Sequence, residues 1–83
     1  MYYLYILRCA DDSLYTGITT DLARRVEEHN KSALGAKYTR ARRPVTLVYS
    51  KKFRTRVTAS RAEYRTKQLT REQKLALIAR ANR

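Results

Sequence analysis

Two short strand-like runs flanking a polar turn open this chain, and that pattern leaves few ways to fold. Tyr2 to Arg8 (YYLYILR) is largely aromatic or aliphatic, Ala10-Asp11-Asp12-Ser13 is polar, and Leu14 to Ile18 (LYTGI) resumes the strand-forming residues. The pattern predicts a β-hairpin. An odd number of loop residues makes the pairing sum even, which puts Tyr5 and Tyr15 on one face of the two strands and turns Leu4, Ile6 and Leu14 to the other.

Downstream the apolar period changes. Thr19, Thr20 and Asp21 offer an N-cap, and Leu22, Val26 and His29 recur at helical spacing, so a helix is predicted from about Asp21 to Lys31. Arg25 and His29, four positions apart, share one face of it. Ser32 to Arg43 (SALGAKYTRARR) is rich in cations and has no apolar period, which predicts an exposed loop. Beyond Pro44, Val45, Leu47 and Tyr49 alternate with Thr46, Val48 and Ser50 in a third strand, and KKFRTR follows as a basic connection. After Thr58 a helical period runs through Ala59, Ala62, Thr66 and Leu69. Thr70-Arg-Glu-Gln73 then matches a capping box that restarts a helix ending near Ala81. The expected order is β-β-α-β-α-α, a small α/β (α+β) layer structure forming a single domain over residues 1–83.

A chain of 83 residues fits one domain. Domains of this size bury only about 60% of the surface of the unfolded chain, so the core is thin. Nineteen Lys and Arg against seven Asp and Glu give a net charge of +12, a strong self-repulsion that a polyanion would relieve. The imbalance is uneven: ten cations and no acid lie between His29 and Ala62, which points to a phosphate-facing surface. The lone Cys9 rules out an internal disulfide and any multi-cysteine zinc site, as expected in a reducing compartment. The N-terminal run lacks a leading basic segment and meets Arg8 too soon for a signal peptide, and no stretch approaches the roughly 20 apolar residues of a membrane span. A cytoplasmic protein with no membrane association is expected.

Common hydrolytic constellations are missing. The sequence has no HExxH, no Gly-rich phosphate loop ending in Lys-Ser/Thr, no carboxylate pair at useful spacing, and a single His, which excludes a multi-histidine metal site. Tyrosines, a helix arginine, one histidine and an isolated acid remain. Phosphodiester cleavage with one divalent cation needs a carboxylate for the hard metal, a cation to offset charge growing on the phosphate, and a proton acceptor for water. This chain can supply all three.

Tyr3-Leu4-Tyr5 and Tyr15-Thr16-Gly17 sit on the hairpin with Tyr5 and Tyr15 ten residues apart, followed by Asp21-Leu22, Arg24-Arg25 and His29. Together with LYTGITTDLARR, GAKYTR and ASRAEYRTKQL around Glu63, they resemble the GIY-YIG nuclease superfamily, in particular its small stand-alone single-domain bacterial branch, over nearly the whole chain. The resemblance implies a three-stranded antiparallel sheet flanked by helices. It implies Tyr5 and Tyr15 as the motif tyrosines, Arg25 as the helix arginine, His29 as the polar residue one turn on, and Glu63 as the metal-binding acid. It further implies an endonuclease that hydrolyses DNA phosphodiesters with Mg²⁺ or Mn²⁺ on Glu63, as in DNA repair, and needs no small-molecule cofactor; structured or damaged DNA is the expected substrate because 83 residues leave no appended domain for choosing a site. Two departures stand out: Tyr3 occupies the first motif's glycine position and Thr16 the second motif's isoleucine position.

Each residue also has a plainer role open to it. Tyr5 and Tyr15 could cover a core as strand tyrosines do. Arg25 lies on the Leu22/Val26/His29 side of its helix rather than with Glu27 and Glu28, which favours a sheet-facing position. His29 is open to two roles: closing the helix as a half-buried residue, or accepting a proton or touching phosphate. Glu63 could belong to a Ser60-Arg-Ala-Glu63 capping box or pair with Lys67, but as the only acid from His29 through Arg71 it is read as the metal ligand. Lys37, Tyr38, Arg40, Arg42 and Arg43, interleaved with Thr39 and joined by Lys51 and Lys52, make the expected nucleic-acid-binding surface, with DNA the first partner and RNA the second. A non-catalytic nucleic-acid-binding module and a small basic ribonucleoprotein component are the competing readings. A monomer or weak homodimer is expected; a single active site on a monomer nicks one strand, so cutting both strands would need a dimer or two visits.

Overall fold

The computed structural model describes residues 1–82; Arg83, the last residue of the expected domain range, lies outside the described residues. β1 (Tyr2–Arg8) and β2 (Leu14–Thr19) form the antiparallel hairpin. Tyr5 pairs with Gly17 and Leu7 with Tyr15, so Tyr5 and Tyr15 share a face, while Leu4, Ile6 and Leu14 occupy the other, as the pairing parity predicts. The turn is held by Asp11, whose carboxylate accepts from the Ser13 backbone and hydroxyl, and by Asp12 at φ 67°, a left-handed position that aspartate tolerates.

The sheet order is β2-β1-β3, which places β1 in the middle. A central strand is covered on both faces, and Leu4, Tyr5, Ile6 and Leu7 are all buried, which explains why this strand is apolar without alternation. β3 (Thr46–Phe53) runs antiparallel to β1 with an irregularity opposite Ile6/Leu7. It extends beyond the predicted end at Ser50: Lys51 and Lys52 pair with Leu4 and Tyr3 as strand residues rather than forming a connection. Lysine is a poor strand former in general, but on an outer strand its charge faces water while the backbone pairs inward.

α1 (Leu22–Lys31) starts at Asp21, whose side chain accepts from the Arg24 N–H. Leu22 and Val26 pack on the core of Tyr5, Leu7, Cys9 and Val45, beside Tyr15. The predicted loop contains a single helical turn, α2 (Lys37–Arg40), too short to show a period in the sequence. α3 (Arg56–Lys67) begins at Thr55, earlier than predicted, and buries Ala59, Ala62 and Thr66 where it packs on the sheet. Ser60 and Glu63 are therefore both inside a helix, and the capping-box role for Glu63 falls away. α4 (Arg71–Ala81) carries the Thr70/Gln73 capping box read from the sequence and lies against β3. The protein is thus an α+β structure with a three-stranded antiparallel sheet and flanking helices. Among the described residues no helix is long and apolar enough to cross a membrane.

Candidate active site

The hairpin parity and the α1 period bring Tyr5, Tyr15, Arg25 and His29 to one place. The Tyr5 hydroxyl lies 2.8 Å from His29 Nε2, with both side chains shielded from solvent. Tyr15 meets the same imidazole edge-on, with ring centroids 5.2 Å apart. Gly17 makes this packing possible: a Cβ there would stand 2.5 Å from the Tyr5 hydroxyl oxygen, so the residue opposite Tyr5 must lack a side chain.

Arg25 pairs with Glu28 at 2.9 Å and donates to the Leu34 carbonyl at 2.8 Å, which fixes its guanidinium beside the Tyr5 hydroxyl. Burial raises the pKa of Tyr5 above that of a free phenol, against the opposing pull of Arg25. Burial also drives His29 down to about 4, assisted by the positive charges of Arg25 and Arg43 and resisted by Glu28, so the imidazole is neutral at pH 7. The other imidazole nitrogen, Nδ1, is 2.7 Å from the Thr39 hydroxyl. With both nitrogens engaged and the ring fully buried, His29 has none to offer a phosphate, and only the proton-acceptor half of its second expected role is carried forward.

Glu63 stands on α3, and its negative charge is felt at Tyr5. Its side chain is 25% exposed and pairs with Lys67 at 3.4 Å. A magnesium-type cation prefers hard oxygen donors and retains several waters, binding through one or two carboxylates together with substrate phosphate. Glu63 is a donor of that kind. No three His, Cys, Asp or Glu side chains converge among the described residues, so the donor set suits a cation shared with substrate rather than one caged by protein.

The expected nucleic-acid surface divides in two. Lys37 and Arg40 are exposed on α2, and Lys51 and Lys52 are exposed on β3. Tyr38 is 40% exposed; its ring lies near-parallel to Tyr15 at 5.9 Å and carries the Arg42 guanidinium over it at 3.9 Å. Arg42 is also paired with Asp11 at 3.1 Å. Arg43 has a different occupation: it donates to the carbonyls of His29, Glu28 and Ser32, closing the C-terminal end of α1, and is not carried forward as a phosphate contact.

Three features escaped the sequence reading. Thr39 appears in KYTR as one hydroxyl among cations, yet it is the one residue of that turn that is buried. Gly17 is a motif residue whose spatial reason only the packing reveals. The side of α3 turned from the sheet presents Arg56, Arg61 and Arg65 around exposed Val57 and Tyr64, an open groove whose arginines are legible in the sequence but whose grouping is not.

Comparison with known proteins identifies the family and the fold. The family model of the GIY-YIG catalytic domain matches residues 1–76. A UPF0213 protein of Desulfotalea psychrophila is 56% identical over 93% of this chain and 70% of its own length, and one of Halobacterium salinarum is 53% identical over 94% and 100%. The solution structure of a UPF0213 protein from Bacillus halodurans superposes with a TM-score of 0.61 at 48% identity, covering 95% of this chain and 84% of that one. The solution structure of a protein from E. faecalis gives 0.66 at 43% identity over 98% of this chain and 85% of that one. The chain therefore belongs to the GIY-YIG catalytic-domain family, alongside the small UPF0213 proteins of bacteria and archaea.

Proposed function

We propose that this chain is a metal-dependent endonuclease that hydrolyses phosphodiester bonds of DNA, with structured or damaged DNA as the substrate class and RNA as the competitor to test. The observation that supports the reading best is the gathering of Tyr5, Tyr15, Arg25 and His29 in one cluster, with the Glu63 charge reaching Tyr5 from a different helix. Neither a core nor a plain binding surface requires that set. Arg25 would offset charge growing on the phosphate as the bond breaks. Tyr5 or Tyr15 would hold the attacking water in line, with neutral His29 as the acceptor next to Tyr5. Glu63 would hold Mg²⁺ or Mn²⁺, which when bound supplies Lewis-acid stabilisation of phosphate charge. Lys37, Tyr38, Arg40, Lys51 and Lys52 would grip the backbone on either side, with no element suited to reading bases.

The test is a cleavage assay on labelled duplex, branched, flap and single-stranded DNA and RNA with Mg²⁺, Mn²⁺ or EDTA. Metal-dependent products that fall by on the order of 10²-fold or more in Glu63→Ala are expected. One observation favours a second reading, a binding module of the same fold: Glu63 already has a partner in Lys67. On that reading neither protein cuts any substrate, and Glu63→Ala binds as well as or better than wild type because a negative charge near phosphate is gone.

A further inference from the structure

The hydrogen-bond chain from Ala36 through Thr39 and His29 to Tyr5 can run in two directions, and one of them gives Thr39 a task. The Thr39 hydroxyl carries one hydrogen and lies 2.9 Å from the Ala36 carbonyl oxygen, a group that can only accept. That carbonyl also accepts from the Thr39 and Arg40 N–H groups, and His29 Nδ1 at 2.7 Å is the hydroxyl's other acceptor within reach. With the hydroxyl hydrogen directed to Ala36, the contact to Nδ1 takes its hydrogen from the ring. A neutral imidazole has only one N–H. Nε2 is then a bare acceptor, and the 2.8 Å contact to Tyr5 is made by the Tyr5 hydroxyl donating to it.

We propose that Thr39 is a positioning residue that locks His29 in the Nδ1–H form, so that Tyr5 directs its hydroxyl hydrogen inward to Nε2 and presents an oxygen lone pair to the attacking water. The inference rests on the nuclease reading for its catalytic meaning and on the hydrogen-bond geometry for everything else. It also distinguishes the two motif tyrosines. Tyr5 is oriented by a chain that runs through His29 and Thr39 to the Ala36 carbonyl, whereas Tyr15 meets His29 only ring to ring. In the opposite tautomer Nε2–H would donate to Tyr5, whose own hydrogen would then point outward and oppose a water proton.

α2 serves this arrangement. The single turn Lys37–Arg40 buries Thr39 while Lys37, Tyr38 and Arg40 stay exposed, so a short basic segment both faces the substrate side and supplies the inward hydroxyl. Arg43 holds the His29 carbonyl at 2.6 Å, which fixes the backbone from which the imidazole projects. The groups around the ring are Tyr5, Tyr15, Arg25, Glu28, Thr39 and Arg43, and the two guanidiniums favour the neutral form that the tautomer argument needs.

His29 is the only histidine, so the ring nitrogens of the ¹⁵N-labelled full chain can be read by NMR without ambiguity. At pH 7 wild type is expected to show Nδ1 protonated and Nε2 bare; a protonated Nε2 overturns the inference. Thr39→Val removes the hydroxyl at nearly constant volume and is expected to shift the ring to the Nε2–H form. It should lower kcat by about 10- to 100-fold, the scale for groups that orient a reacting group's partner, with little change in KM. Thr39→Ser should restore both. A Thr39→Val chain that keeps the Nδ1–H form, or one that cuts at the wild-type rate with a shifted tautomer, overturns the role of Thr39. If the valine variant does not fold, the wild-type tautomer and Thr39→Ser still decide. The tautomer is read without substrate: an inactive wild type with Nδ1–H sinks the nuclease reading and leaves the hydrogen-bond direction standing. An active wild type with Nε2–H does the reverse.

Discussion

Acid should weaken this fold well before its carboxylates titrate, and His29 should be the cause. In the unfolded chain the imidazole protonates near 6.5, whereas in the folded protein burial and the nearby Arg25 and Arg43 lower that value to about 4. Between those two values the unfolded chain takes up a proton that the folded chain refuses, so stability is complete above 6.5 and falls as the pH drops through the window. The loss stops once the folded state is protonated. At about 1.4 kcal/mol per unit the whole window corresponds to roughly 3 kcal/mol, a large fraction of the roughly 5–15 kcal/mol that holds an ordinary domain together. The assay is urea unfolding followed by circular dichroism between pH 7.5 and 4.5, comparing wild type with His29→Gln. The variant should be weaker at neutral pH, since it loses part of a buried network, but nearly flat across the window. Asp11, whose pKa is lowered by its hydrogen bonds to Ser13, acts below 3.8 and does not interfere. A wild-type profile that is flat from 7 to 4.5, or a His29→Gln profile that retains the slope, would refute the argument.

Two further outcomes follow from the packing. Gly17→Ala places a methyl against the Tyr5 hydroxyl and ring, where the core leaves the tyrosine little room to retreat; an unfolding free energy lower by about 1–3 kcal/mol and loss of cleavage are expected in denaturation and turnover assays. Arg40 and Arg43 should separate cleanly: Arg40→Ala should reduce the salt dependence of DNA binding by about one phosphate contact without affecting thermal unfolding, whereas Arg43→Ala should lower the melting temperature by uncapping α1 and leave the salt slope unchanged.

Much of the fold was legible because its signals are local. The hairpin, its parity, the Asp21 cap, α1 and the Thr70 capping box each depend on residues a few positions apart, whose spacing determines which way a side chain turns. The elements that differed are those that answer to distant partners. Lys51 and Lys52 join β3 because β1 offers them a ladder, and α2 is a single turn that folds against α1. Thr16 shows the same limit: its position on the Ile6 side follows from register, but that its hydroxyl is buried with no partner among the described residues is a matter of packing.

For the site, the sequence alone determined the cast: two tyrosines on one strand face, an arginine and a histidine on one helix face, and one acid in a basic half-chain. The tertiary structure decided what each is free to do. It buried His29 against both Tyr5 and Thr39, assigned Arg43 to the end of α1 and left Arg40 outside, and removed the capping role of Glu63 while confirming its pair with Lys67. The physical reason is that hydrogen-bond partners and burial depend on which groups meet in space. The Thr39 hydroxyl and the His29 ring lie ten residues apart, and Tyr5 and His29 twenty-four, separations over which no period in the chain carries information.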